Sequence, residues 1–440
     1  MEKNVRNVLS VVFGAMALCC LISCNNTESD SAVASRCFKD LKRELKRDNG
    51  DLWGRQLYAP TFVVNTETGE IIADRQDSSG LFRPGENGIY CGVMPAECNP
   101  ANSVIDLGGM RWVMVLWPLP DTKFERNVLL THETFHYWQP ALGLNPQMDL
   151  CSHLDSETSR IYLKLEWNAL EAAVQAETEE GTEIAVSHAL AFRRARFCAT
   201  SDSNKTMEDE RAMLLLEGLP EYTAYKICCH SDGQMKESIL KSRQNHWNND
   251  SYVYSFAYHT GLAYGYLLDK LGLDWREGLD ESSSLTDIAA EAIHATPSVN
   301  TDSIAQLYGQ DTIEAYEHIR ALNMAKVKEA YCHLFTGDTI MSLTFGNVSM
   351  GFHPAKVIDL AGFGTVYPNI RLTGDFGILD VRDGGCLMHP NWDAADVSAK
   401  GITITADSLY TANWTFYPAE GISVVAPDAQ HPLQYQVKYK

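Results

Sequence analysis

The sequence predicts an α+β protein, on three observations taken along its length. Residues 51–128 hold short runs of β-branched and aromatic residues divided by Thr-Gly, Gly-Gly and Pro punctuation, which reads as a β-rich region. Residues 129–335 carry apolar side chains at three- and four-residue steps, the period of helices packed on one face. Residues 340–440 return to short β runs between turn residues, as in a small all-β domain. With 45% hydrophobic and 21% charged residues, the 440-residue chain can bury two or three cores. A formal net charge of −21 would repel a phosphate backbone, so no nucleic-acid partner is expected. The sequence sets no oligomeric state.

Residues 1–23 read as a leader. Lys3 and Arg6 precede the apolar run "VLSVVFGAMALCCLISC", which is short for a membrane span. Its end, "LISC", resembles the lipobox of bacterial lipoproteins, which implies cleavage before Cys24 and acylation of that residue. Multiple acyl chains anchor stably in a bilayer where a single one does not. Asn25 after the cysteine resembles an outer-membrane sorting signal, so an outer-membrane lipoprotein facing the periplasm or the cell surface is implied. Residues 24–50 then read as a polar tether, "NNTESDSAVAS", and a short lead-in helix. Removing Cys19 and Cys20 and lipidating Cys24 leaves an odd number of cysteines in an oxidising compartment. Of these, Cys91 and Cys98 flank a Pro-containing loop and could pair.

In chain order, "LYAPTFVVNTETGEIIAD" reads as a hairpin about a Thr-Gly turn, and "VIDLGGMRWVMVLWPLP" as a further strand between glycines and prolines. Helices follow in "SRIYLKLEWNALEAAVQAE", "EIAVSHALAFRRARF", "EDERAMLLLEG" and "SFAYHTGLAYGYLLDKLG". Thr206 and Asp209 in "TMED" resemble a capping box, which starts the third of these near Met207.

Ahead of those helices stands "LLTHETFHYWQP". Residues four apart project from one helical face, so His132 and His136 can reach one ion, with Glu133 placed to act as base towards an activated water. This H-E-x-x-H pattern is the chemistry of a Zn²⁺ site. Zinc in a catalytic site takes a third protein ligand and keeps one position open. Glu217 in "LLLEGLPEYTAY" is the strongest candidate, with Asp155, Glu157 and Glu166 as alternatives. A carboxylate inside "LEWNAL" demands a cation, so Glu166 reads rather as a buried ion pair with Arg193 or Arg194.

"HETFH" followed by "EGLPEY" resembles the gluzincins, zinc peptidases with a His-His-Glu site. The blocks "LEW", "ALAFR" and "EGLPEYT" are similar to segments of bacterial lipoprotein metallopeptidases of uncharacterised activity. The resemblance covers residues 104–270 and implies a zincin-like core, with His132, His136 and Glu217 as ligands and Glu133 as base. "YHTGLAYGYLLDKL" resembles the Y-x-x-G helix of gluzincin aminopeptidases, which makes Tyr258 the oxyanion donor, with Tyr264, His259 and Tyr222 as substitutes. Two departures stand out. About 80 residues separate His136 from Glu217, several times the thermolysin-like spacing and enough for an inserted helical pair. Pro220 replaces the clan's usual alanine, removes a backbone donor and should kink or restart the helix.

The expectation is a lipid-anchored zinc metallopeptidase acting on peptide or protein. Its substrate backbone would add to the edge of the strand "MRWVMVLW". Arg111 in "GGMRW", about where clan aminopeptidases carry an amine-gripping glutamate, favours an endopeptidase. The alternative is a non-catalytic lipoprotein that binds extracytoplasmic protein or glycan on the same scaffold. A retained Glu133 opposes it, since binding alone has no use for the base.

Overall fold

The described residues open on a helix that the polar start of the tether conceals. In a computed structural model that describes residues 28–439 apart from 97, 148, 296–299 and 347, Ser29 accepts from Ala32 N and starts α1 (Asp30–Asp48). Ala34, Cys37, Phe38, Leu41 and Leu45 share one face and are buried. The tether read to Ser35 is thus cut short: its Ser29 caps a 19-residue helix that belongs to the core. The leader and Cys24 lie outside the described residues.

A six-stranded sheet follows, built from β1 (Thr61–Asn65), β2 (Glu70–Ala73), β3 (Arg83–Pro84), β4 (Tyr90–Val93), β5 (Ser103–Leu107) and β6 (Met110–Trp117). β1 and β2 form the hairpin, Phe62 opposite Ala73. The strand read between the glycines and the prolines is β6, and the residues ahead of the glycines add a further strand, β5, which Gly108 and Gly109, at φ +59° and +74°, fold back on it. The strand order is β3-β4-β2-β1-β6-β5, with β1 and β6 parallel. β6 is therefore paired on both sides, and the outermost strand at that end is β5, not the "MRWVMVLW" expected to offer an edge. Side chains alternate across the sheet: Val63, Val113 and Val115 join the helical core, whereas Phe62, Val64, Trp112 and Met114 pack with Phe82 on the other face. Cys91 on β4 is a free thiol, so the bridge across its loop is not formed.

α2 (Lys123–Leu142) lies on the helical face of this sheet and starts before residue 129, because Thr122 accepts from Glu125 N at 3.1 Å and donates to its carboxylate. α3 (Glu157–Gln175) and α4 (Glu179–Cys198) pack on each other in the stretch between His136 and Glu217. α5 (Ser203–Met213) begins at Ser203 rather than Met207: Asp202 is its cap, accepting from Lys205 N, while the Thr206 hydroxyl turns back to the Asp202 carbonyl. α6 (Leu219–Cys228), α7 (Asp232–His246), α8 (Phe256–Lys270), α9 (Leu285–Ala292) and α10 (Gln310–Gly337) complete the helices that matter here.

Buried charge ties these helices together. Glu166 on α3 receives Arg193 at 3.5 Å and, closer, Arg196 at 2.7 Å, while Tyr264 of α8 donates to it at 3.0 Å. The paired cation was expected at 193 or 194; the stronger one is a helical turn later, where Arg196 also grips Glu210 of α5. Removing one member would strand a buried charge, at a cost of about 3–5 kcal/mol.

α6 and α8 approach at glycines. A Cβ on Gly261 would lie 2.2 Å from Gly218 Cα, and one on Gly265 2.4 Å from the Tyr222 ring. This close crossing brings the chain just before α6 against the α8 residues that precede Gly261.

Beyond residue 340, a seven-stranded and a six-stranded sheet pack on a shared core including Met341, Leu343, Leu372, Leu379 and Phe416. Asn99 ties this all-β region to the first sheet: its amide donates to Ser349 O at 2.8 Å and accepts from the Thr373 hydroxyl. Ser251 N donates to Ala355 O at 2.9 Å, and Tyr254 packs on Phe352, centroids 5.6 Å apart. The molecule is thus α+β with an all-β C-terminal region.

Gly261→Ala should lower stability by about 1–3 kcal/mol or more, since the added methyl meets backbone and not a yielding side chain. Thermal unfolding reads this, and an unchanged melting temperature would mean that the helices do not cross as closely as described.

Candidate metal centre

α2 presents His132 and His136 on one face, ring centroids 4.9 Å apart. Opposite them, α5 and α6 are not one continuous helix. Leu214–Gly218 form a π turn in which Leu219 N reaches back five residues to Leu214 O, and this turn carries Glu217. One added residue rotates everything beyond it, and such turns recur at functional sites. The expected break near Pro220 is this turn, with the helix restarting at Leu219 and Pro220 in the first turn of α6.

The three side chains converge. His132 Nε2 and His136 Nε2 are 3.2 Å apart, and a Glu217 carboxylate oxygen lies 3.6 Å and 3.7 Å from them. The point equidistant from all three is about 2.0 Å from each, against about 2.0–2.2 Å for zinc bonds to imidazole and carboxylate. His132, His136 and Glu217 thus form a triad able to hold a metal ion.

The surrounding hydrogen bonds fix which nitrogens face that point. His132 Nδ1 donates to Glu221 Oε2 at 2.8 Å; a carboxylate only accepts, so in the neutral ring it is Nε2 that carries the lone pair. His136 Nδ1 lies 2.6 Å from Gln139 Oε1. The Gln139 amide nitrogen donates to Leu215 O and Leu216 O, both at 3.0 Å, so its oxygen must face the ring and Nδ1 is again the donor. Two imidazole lone pairs 3.2 Å apart repel unless a cation or proton lies between them.

Electrostatics agree. Burial opposes charge on His132, but hydrogen bonds to Glu217 and Glu221 raise its pKa well above 6.5. Burial acts against the Glu217 carboxylate too, yet the two imidazoles hold it well below the usual carboxylate range. Glu133 is buried and shifted up by burial, with Glu217 and Glu221 adding to the shift and the histidines opposing it; its Oε2 has no protein partner. Three carboxylates and two imidazoles in one buried site call for positive charge.

The alternatives are engaged elsewhere. Asp155 accepts from Tyr252 N at 2.8 Å and from Ser251 Oγ at 2.6 Å, and pairs with Arg160. Glu157 meets His318 at 3.1 Å, and Glu166 sits in its arginine network. Tyr258 packs on His132, centroids 5.8 Å apart, and its hydroxyl reaches Glu217; burial and that carboxylate push its pKa well above 10. Of the substitutes, Tyr264 is held by Glu166, Tyr222 donates to Asp269 at 2.8 Å, and His259 is enclosed beside Trp167.

A cleft of about 330 Å³ opens over His132, Glu133 and Tyr258, walled by Phe124, Val128, Leu129 and Tyr225. Sequence reasoning missed several of its parts. Glu221 is four residues after Glu217 and Gln139 three after His136, spacings that could have flagged both as supports. His246, which lines the cleft with Nδ1 committed to Ser242 O at 2.8 Å, and Asn102, at the start of β5, carry no such signal. Comparison with known protein families, curated proteins and solved structures finds no match to this chain.

Glu217→Ala should abolish binding of a stoichiometric divalent ion, while Asp155→Ala should keep it and lower stability through the lost bonds to Ser251, Tyr252 and Arg160. Metal content by elemental analysis decides, and loss in the aspartate variant alone would reverse the ligand assignment.

Proposed function

We propose that this protein is a zinc-dependent metallopeptidase with a zincin-like core, anchored to the outer membrane through acylated Cys24 and acting on peptide bonds. The observation that carries the reading is the donor triangle of His132, His136 and Glu217, with the partnerless buried oxygen of Glu133 beside it. Bound in that triangle, zinc would supply Lewis acidity towards a water and a scissile carbonyl.

The chain's own groups supply the rest. Glu133 Oε2, with no protein hydrogen bond to give up, takes the proton of the attacking water and delivers it to the leaving nitrogen. Tyr258, kept protonated by its raised pKa, donates its hydroxyl proton in a hydrogen bond to the developing oxyanion. His246, whose Nδ1 is held by Ser242 O, lines the same cleft and orients the water or the amide. The unpaired side of β5 offers main-chain donors and acceptors to an extended substrate, and the apolar wall excludes water. An endopeptidase needs no charged grip on a chain end, and Arg111 lies on β6, stacked 5.5 Å from the Tyr137 ring.

Purified protein should carry about one zinc per chain. Glu133→Gln should keep the metal and lose peptidase activity on an unstructured protein substrate by about 10²-fold or more. Tyr258→Phe should lower turnover with zinc retained. Wild type that takes up no zinc after repletion would end the reading, and full activity in Tyr258→Phe would return that tyrosine to packing.

A further inference from the structure

We infer that Gln139 is a positioning residue that couples the π turn carrying Glu217 to the orientation of His136, so that the metal triad assembles as one unit. The inference rests on the proposed metal site and adds a residue that the ligand pattern does not contain.

The reason lies in two backbone carbonyls. In a regular helix Leu215 O would accept from Leu219 N, and Leu216 O from the amide of residue 220. Leu219 N is diverted to Leu214 O by the π turn, and Pro220 has no N–H. Both helical donors are therefore missing, and a buried carbonyl left without a donor is costly. Gln139, 1% exposed on α2, supplies both hydrogens of one amide nitrogen to them, at 3.0 Å each. A side-chain amide that spends both hydrogens this way has only its oxygen left, and that oxygen accepts from His136 Nδ1 at 2.6 Å. One planar group thus does two things. It satisfies the turn that places Glu217, and it fixes the imidazole whose Nε2 lies 3.7 Å from Glu217. Neither can shift without breaking the other's bond.

The sequence permits this arrangement only in combination. Pro220 creates a deficit that an alanine there would not, and Gln139, one turn past His136, is on the face that meets it. Leucine at 139 would fill the same space but remove the bonds to both carbonyls and to His136 Nδ1. Glutamate would keep the acceptor while setting a carboxylate against two carbonyl oxygens.

The test uses the full mature chain in four forms: wild type, Gln139→Leu, Pro220→Ala and the double variant. Zinc affinity is read by competition with a chromophoric chelator, ligand geometry by the absorption of the cobalt(II)-loaded protein, and stability by thermal unfolding of the metal-free protein. Gln139→Leu should bind zinc about 10–100-fold more weakly, as loss of a supporting bond to a ligand does, and should melt at lower temperature. Adding Pro220→Ala returns a backbone N–H to Leu216 O, so part of the melting temperature should return. Affinity should stay at least tenfold below that of Pro220→Ala alone, with an altered cobalt spectrum, because His136 still lacks its acceptor. Equal affinities in the double variant and Pro220→Ala would overturn the coupling and leave the proposed function standing. A wild type that binds no zinc would overturn both.

Discussion

Two imidazole nitrogens 3.2 Å apart, their lone pairs turned towards each other by bonds at the far side of each ring, set the constraint on which the site depends. Such a pair is repulsive in a buried place unless something positive sits against it. The carboxylate that closes the triangle has its charge favoured by the same histidines, and two more carboxylates stand within the cluster. The protein has therefore concentrated donors where burial makes them costly without a cation. Packing alone gives no reason to assemble such a group at the mouth of a cleft.

Holding that group together takes support from several directions. α2 brings the histidines and rests on the sheet through Val113 and Val115. The helix bearing Glu217 is held on one side by its glycine contact with α8 and on the other by Gln139. The network of Glu166, Arg193, Arg196 and Glu210 locks α3, α4 and α5, so the long segment between His136 and Glu217 is itself a braced strut. Its length is tolerable because it folds back on itself and on α8, returning the chain to the histidines with Glu217 in place.

The C-terminal all-β region contacts the segments that lead into two walls of the cleft. Asn99 anchors it three residues before Asn102 on the strand side, and Phe352 packs on Tyr254 four residues before Tyr258 on the helix side. One strand, Val348–Phe352, reaches both. Its chemistry there is that of a brace: hydrogen bonds to Asn99 and an aromatic contact with Tyr254.

The sequence by itself determined the elements whose information is local. Helical spacing was enough to set His132 beside His136, alternation to find the first hairpin, and a carboxylate among apolar residues to demand an arginine. Glu217 was named only by the string around it; its arrival beside the histidines depends on a π turn and a glycine crossing, both properties of two helices together. Tertiary structure alone decided that Asp155 caps backbone instead of binding metal, that β5 rather than β6 is outermost, and that Gln139 and His246 belong to the site. The physical reason is one of range. Periodicity and capping act within a few residues, whereas the pairing of β1 with β6, ligand convergence and the capture of orphaned carbonyls are fixed by contacts across 52 to 89 residues of chain.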